Sequence, residues 1–309
     1  MTEVGEPSSE PAEPTVPESP IIGLIPAAGR ASRLGNLPCS KEIFPIFESD
    51  AEGRPSPSPV CAGLLRGMAS AGIERVLIVL RDGKWDVASR LCEGSEWGVD
   101  LGYLSVASST CVPETLGRAL PWCKGADVAL GFPDILLSPA NIWQRLSAFH
   151  RRHSGAVSLG LFPTDQVAKA DMVDFEPGGN GEGRATRIVI KDPSCELRWT
   201  WSIAIWRPIF STFLADWLKN RQHPPPGSPE PYIGDVFRAA MEEGLVARTL
   251  SMEDGSFLDV GTPEDLARAV GAGAKSSTTD GSSFKDGSSP KDGSSPKGLV
   301  HGDRAETQC

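Results

Sequence analysis

The sequence has no long apolar run, no paired-cysteine motif and no excess of basic residues, and each lack removes a class of protein. The longest purely aliphatic stretch is Val76 to Leu80, far short of the ~20 residues that cross a bilayer, so no membrane partner is expected. No apolar segment occurs in the first twenty residues, where a secretory leader would need one. The seven cysteines are odd in number and form no C-x-x-C pair. That argues against a disulfide framework and for reduced thiols in the cytoplasm. The net charge is −10. A mildly acidic chain is a poor general binder of nucleic acid, although a local cationic pocket for a small anion is compatible with it.

What is present divides into three parts. Residues 1–20 hold five Glu, five Pro and no Lys or Arg, and residues 271–309 carry DGSSFK, DGSSPK and DGSSPK in tandem from Asp280 to Lys297. Neither end has enough apolar surface to offset its ordering entropy, so both are expected to be disordered tails. Residues 21–270 then form one large α/β domain.

Within that domain, apolar segments near Ile21–Ile25, Arg75–Leu80, Leu101–Ala107 and Asp127–Gly131 alternate with helical composition at 62–71, 84–93 and 114–122. The alternation argues for a mostly parallel sheet covered by helices. Residues 48–59, ESDAEGRPSPSP, are expected to be a polar surface excursion. Ser138 and Pro139 are expected to open a helix running to about His150. The second half is richer in extended segments (156–162, 172–175, 186–190 and 199–206), which suggests an antiparallel extension. Thr262 and Pro263 open a last helix, with Asp265 in its first turn.

Chemistry concentrates first at residues 23–41, GLIPAAGRASRLGNLPCSK. A buried strand empties there into a small-residue loop carrying Arg30, Arg33 and Lys41. Small side chains let backbone N–H groups approach phosphate oxygens, and the cations neutralise them. The spacing fits neither the Walker A loop nor the dinucleotide GxGxxG pattern. Asp134 follows a second strand in ALGFPD, and Asp259 a third in FLDVGTPEDL. Both fall beyond strand ends, where open α/β sheets bind ligands. Two carboxylates facing a polyphosphate would repel it unless a divalent cation lay between, and Mg²⁺ is the expected one.

Taken together, PAAGRASR, then SKEIFP with Lys41 and Pro45, then the strand-end Asp134 and the late D-x-G-T-P-E-D-L resemble the sugar-1-phosphate nucleotidylyltransferase family. The likeness is to glucose-1-phosphate thymidylyl- and uridylyltransferases, and it covers roughly residues 21–268, including CEGSEWGVDLGY at 92–103. The resemblance implies a Rossmann-like mononucleotide-binding three-layer sandwich with a mixed, mostly parallel sheet, the GT-A-like nucleotide-diphospho-sugar transferase fold. It also implies transfer of a nucleotidyl group from an NTP, dTTP or UTP, to a sugar 1-phosphate. Carried over, Ala27, Ala28, Gly29, Arg30 and Thr115 would bind the nucleotide. Arg33 and Lys41 would be catalytic, Lys191 in VIKDPS would hold the sugar phosphate with Asp171 beside it, and Asp134 and Asp259 would bind Mg²⁺. Ser108, Ser109 and the backbone of 114–116 are the candidates for reading the base.

Departures fall on the acceptor side. Ile190 stands where the family usually has Glu, Ala170-Asp171 where it has Tyr-Gly, and Trp201-Ser202 where many relatives have Thr-Gly. Lost and gained hydrogen-bond partners of this kind shift substrate choice by ~10⁴-fold, which points away from plain glucose 1-phosphate. Two other classes stay open on sequence alone: a nucleotide-binding regulator without catalysis, and a cytidylyltransferase for a non-sugar phosphate. A homo-oligomer is neither required nor excluded.

Overall fold

The computed structural model describes residues 19–49, 52–221 and 230–275, so most of both expected tails lies outside the described residues. In chain order the elements are β1 (Ile21–Ala27), β2 (Pro45–Ser49), β3 (Pro55–Pro59), α1 (Ala62–Ser70), β4 (Arg75–Arg81), α2 (Trp85–Leu91) and β5 (Asp100–Val106). Then come α3 (Val112–Ala119), β6 (Asp127–Leu130), β7 (Ile135–Ser138), α4 (Ile142–Arg152), β8 (Val157–Pro163), β9 (Asp171–Pro177) and β10 (Glu182–Ile190). The chain ends with β11 (Trp199–Trp206), α5 (Pro208–Asn220), α6 (Ile233–Glu242), β12 (Ala247–Ser251), β13 (Ser256–Asp259) and α7 (Pro263–Lys275).

Nine strands form one sheet in the order β5-β4-β1-β6-β11-β8-β12-β10-β9. The block β5-β4-β1-β6 is parallel throughout, as the βαβ alternation requires. Beyond it lies the expected antiparallel extension: β11 is antiparallel to β6 and β8, and β10 to β12 and β9, with β8–β12 the parallel pair in this half. Only β11 and β10 therefore run against the other seven strands. The antiparallel part is also curled. Thr200 of β11 pairs with Met172 of β9, which closes β11-β8-β12-β10-β9 into a ring.

Alternation along β1 and β4 sends side chains to two cores. Ile25, Val76 and Ile78 pack with Leu64, Leu65, Met68, Trp143 and Phe149 of α1 and α4. Leu24 and Val79 pack with Leu116, Phe210, Leu214, Val236 and Phe237 of α3, α5 and α6. The sheet thus lies between two helical layers.

Two local expectations fail for identifiable reasons. PSPSP is not a loop but strand β3, paired antiparallel with β2 from Pro45↔Pro59 to Ser49↔Pro55. Its prolines occupy alternate positions, so the donors the two-stranded ladder needs come from Ser56 and Ser58. Ser138 does not cap a helix; it ends β7, which pairs with β13, and α4 starts only at Ile142 after Asn141. A partner strand more than a hundred residues away outweighs the local capping signal.

A third, smaller core of Ile46, Val60, Leu258, Val260 and Ala269 joins the β2–β3 hairpin to β13 and α7. It brings the two ends of the domain together beside the opening loop.

Close packing makes one testable demand on a glycine. A Cβ on Gly67 of α1 would lie 2.7 Å from Cδ1 of buried Trp143 on α4. In an open helix Gly→Ala gains ~1 kcal/mol. Here Gly67→Ala should instead cost ~1–3 kcal/mol through overpacking, read as a lower urea midpoint; a raised midpoint would contradict the packing described.

Candidate functional site

Three segments meet beyond the carboxyl ends of β1 and β6. The first is the loop after β1. Ala27 ends the strand, buried, while Ala28 is half-buried and Gly29 and Arg30 are exposed. Ala31 takes a left-handed conformation (φ 52°) before the short turn Ser32–Leu34, which sends the chain back over the sheet edge. A Cβ on Gly29 would meet nothing within 4 Å, and its φ is not left-handed. Neither packing within the chain nor backbone geometry explains that glycine, so the open space beside it is available to a ligand.

The second and third segments carry the carboxylates. Asp134 precedes β7 and Asp259 ends β13. The antiparallel pairing sets Asp259 opposite Ile135 and lets the Val260 N–H donate to the Asp134 carbonyl at 2.8 Å. Residues far apart in the chain thus become neighbours through one two-stranded ribbon. Lys41 Nζ donates to Asp134 Oδ2 in an ion pair whose side chains are only 15% and 16% exposed. Arg33 closes the other side. A Cβ on Gly261 would lie 3.3 Å from Arg33 Nη2 and 3.4 Å from Asp259 Oδ1, so Gly261 lies against both the guanidinium and the carboxylate.

Electrostatics matches this geometry. Burial, and then the neighbouring Asp134 charge, push the Asp259 carboxyl up to about 6, against the pull of Lys41 and Arg33. Burial would lower Lys41, but Asp134, with smaller help from Glu42 and Asp259, outweighs it and holds the ammonium above its ordinary value. Two cations and two carboxylates thus balance one another in a half-buried cluster.

The donor set suits a hard cation that brings most of its own ligands. Among the described residues no cluster of three or more His, Cys, Asp or Glu side chains could enclose a metal. Two carboxylate oxygens do fit Mg²⁺, which commonly takes one or two carboxylates and fills its shell with water and substrate phosphates.

Other expected site residues lie elsewhere. Asp171 starts β9, and Lys191 follows Ile190, the partner of Asp171 in β10. Lys191 has a left-handed backbone (φ 44°), and its Nζ stands 3.5 Å over the Tyr232 ring. Asp171 is pressed against α6, where a Cβ on Gly234 would come within 2.4 Å of Oδ2, and its buried Oδ1 has no hydrogen-bond partner among the described residues. Burial pushes its carboxyl up to about 6 although Lys191 pulls it down. The pair connects to the first cluster through β11. The Thr200 hydroxyl donates to the Asp171 carbonyl at 2.9 Å, and the next residue, Trp201, packs on Phe132, two positions before Asp134, with ring centroids 6.0 Å apart. Thr115 is placed differently from a ligand contact. It is buried, and its hydroxyl bonds Ser109 Oγ at 2.6 Å and the Cys111 carbonyl at 3.1 Å, so it holds the loop before α3.

Three residues that sequence reasoning did not single out surround Lys41. Buried Lys84 donates to Glu42 Oε1 at 2.6 Å and to the Ala27 carbonyl at 2.8 Å. Asp86 accepts both the Ser40 N–H at 2.7 Å and the Ser40 hydroxyl at 2.9 Å. Only the adjacency of Glu42 to Lys41 signalled any of this. One arrangement imitates a catalytic site. His150 bonds Ser158 Oγ at 2.9 Å and Asp127 Oδ2 at 3.1 Å, but it is fully buried and Asp127 begins β6 at the opposite edge of the sheet. A groove of about 420 Å³ between β10 and α6, lined by Arg187, Arg238 and Glu242 among others, contains none of the expected site residues.

Two cations and two carboxylates thus gather beside a small-residue loop at the carboxyl edge of an α/β sheet, an arrangement with the charges to engage a polyphosphate. No family model matches the chain. It is 24% identical over 252 residues to a glucose-1-phosphate thymidylyltransferase of Actinoplanes sp., a match covering 80% of this chain and 76% of that protein. Solved structures with the same fold include a UDP-glucose pyrophosphorylase complexed with UDP-glucose, at TM-score 0.68 and 16% identity, covering 83% of this chain and 99% of that one. Another is a UTP-bound UGPase from Acinetobacter baumannii, at TM-score 0.64 and 16% identity, covering 82% and 93%. The chain thus resembles sugar-1-phosphate nucleotidylyltransferases in both sequence and fold. Among the described residues no helix is long and apolar enough to cross a membrane.

The raised Asp259 carboxyl yields a pH prediction. An unfolded chain releases this proton near 3.8, the folded protein only near 6. The folded state therefore holds the extra proton between those values, and stability falls as pH rises through that window. Asp259→Asn should raise Tm at about pH 7 and change it little at about pH 4. An equal shift at both pH values would contradict the crowding of Asp259.

Proposed function

We propose that this chain is a nucleotidylyltransferase that moves an NMP from an NTP to a sugar 1-phosphate or related phosphate, releasing pyrophosphate and forming an NDP-sugar. The observation that carries the reading is the convergence of Arg33, Lys41, Asp134 and Asp259 at one sheet edge, in a chain that resembles enzymes of this reaction. In detail, the proposed architecture is the GT-A-like sandwich of nucleotide-diphospho-sugar transferases, with 21–270 as the working unit.

A sugar phosphate is already ionised, so its attack on the α-phosphorus requires no general base. What the chain must supply is position and positive charge. The open space at Gly29, with the backbone of Ala27 and Ala28 and with Arg30, receives the nucleotide. Arg33 takes the β- and γ-phosphates, which depart as pyrophosphate. Lys41 leaves Asp134 for the α-phosphoryl oxygens, where negative charge builds up as the in-line displacement proceeds. Asp134 and Asp259 would hold Mg²⁺, which when bound would supply positive charge to the phosphates and between the two carboxylates. Lys191 receives the acceptor phosphate. Asp171 beside it favours an acceptor that offers a hydrogen-bond donor, and so one other than plain glucose 1-phosphate.

The test is pyrophosphate release across a panel of NTPs, dTTP and UTP first, and of sugar 1-phosphates. Turnover with Mg²⁺ supports the reading. Tight NTP binding without turnover across the panel would instead favour a regulator without catalysis. Lys41→Ala should lower kcat by ~10²–10³, and an unchanged rate would remove Lys41 from the mechanism. Gly29→Val should leave Tm unchanged and raise KM for the NTP; an unchanged KM would move the nucleotide away from this loop.

A further inference from the structure

Lys41 projects from a segment that has little structure of its own, the short turn Lys41–Ile43. An ammonium that must stabilise a transient charge loses most of its effect if it wanders by an ångström. What fixes it is outside the turn. Residues on both sides of Lys41 are gripped by the segment that enters α2. On one side Asp86 takes two hydrogen bonds from Ser40, at 2.7 and 2.9 Å. On the other, Lys84 bonds Glu42 at 2.6 Å, with side chains only 5% and 2% exposed. The same Lys84 ammonium bonds the Ala27 carbonyl at 2.8 Å, so one buried cation ties the first residue of the phosphate loop to the residue after Lys41. The Glu42 carbonyl is itself fixed by the Cys61 N–H at 3.0 Å.

We propose that Lys84, Glu42 and Asp86 are positioning residues that close residues 28–41 into a rigid loop and aim Lys41 at the transferring phosphoryl group. This rests on the role given to Lys41 above. A buried charge pair is a costly way to obtain stability alone, since an apolar pair of similar volume often serves as well. Its two-point grip on the ends of the phosphate loop is what an apolar pair would not reproduce.

The substitutions follow from that contrast. Lys84→Met alone would strand the Glu42 charge and risk unfolding. The double variant Lys84→Met/Glu42→Met removes both charges at similar volume, and Asp86→Asn weakens the Ser40 grip without touching the core. Each is assayed in two backgrounds, with Lys41 intact and with Lys41→Ala, in full-length protein with Mg²⁺, NTP and acceptor. With Lys41 present, kcat should fall ~10–10²-fold while KM for the NTP changes less than ~3-fold. In the Lys41→Ala background the same changes should lower kcat less than ~3-fold, because the group being aimed is gone. An equal loss in both backgrounds, or no loss with Lys41 present, overturns the proposal. A second readout needs no turnover, so it separates failure here from failure of the proposed reaction. Labelling of Lys41 by acetic anhydride, followed by peptide mass spectrometry, should accelerate several-fold in both variants relative to wild type. Unchanged labelling overturns the proposal even if the enzyme proves to catalyse another reaction.

Discussion

The constraint on which the rest depends is the forced proximity of two carboxylates. Asp134 and Asp259 sit side by side because β7 and β13 pair and Val260 bonds back to the Asp134 carbonyl. Those backbone contacts keep the main chains of the two residues adjacent. Burial first, and then the Asp134 charge, raise the Asp259 carboxyl, while Lys41 and Arg33 pull it back. In this state the cluster is nearly balanced by its own cations. A phosphate-bound divalent cation would release Lys41 and Arg33 from that duty for phosphate oxygens. Structure and proposed catalysis therefore draw on the same four charges.

The first and last parts of the described residues meet at this site. The β2–β3 hairpin follows the Lys41 turn, Asp259 ends β13, and α7 begins a few residues later. The small core of Ile46, Val60, Leu258, Val260 and Ala269 joins them. The proposed acceptor side lies elsewhere, on the curled ring β11-β8-β12-β10-β9, which brings Asp171 and Lys191 back to the start of β11. Trp201 against Phe132 connects the two halves. A parallel half for the nucleotide and a curled half for the acceptor would let acceptor choice drift without disturbing the phosphate machinery. The departures at Ile190 and Asp171 lie entirely in the second half.

Legibility followed the range of the interactions. The parallel block could be read because its strands alternate with helical segments and β1, β4 and β6 are apolar runs. Lys41, Asp134 and Asp259 were singled out from the order of motifs, and the fold brings them to one place. Lys84 could not be read. A lysine before an amphipathic helix is ordinarily solvated, and only the fold shows it buried with its ammonium on Glu42 and Ala27. PSPSP and Ser138 failed for a related reason: local turn and capping signals are real, but a partner strand outweighs them. Thr115 was the reverse case, a hydroxyl in a promising position that the loop itself occupies. The curl of β9 onto β11 left no mark in local pattern, because register across a ring depends on strands far apart in sequence.

The central claim is attack at the α-phosphorus of a nucleoside triphosphate held by this cluster, and following the label from α-³²P NTP tests it most directly. With Mg²⁺ and a sugar 1-phosphate, the expected result is label in a nucleoside diphosphate sugar and none in the released pyrophosphate. Label in a free nucleoside di- or monophosphate, with no label joined to the acceptor, would contradict it.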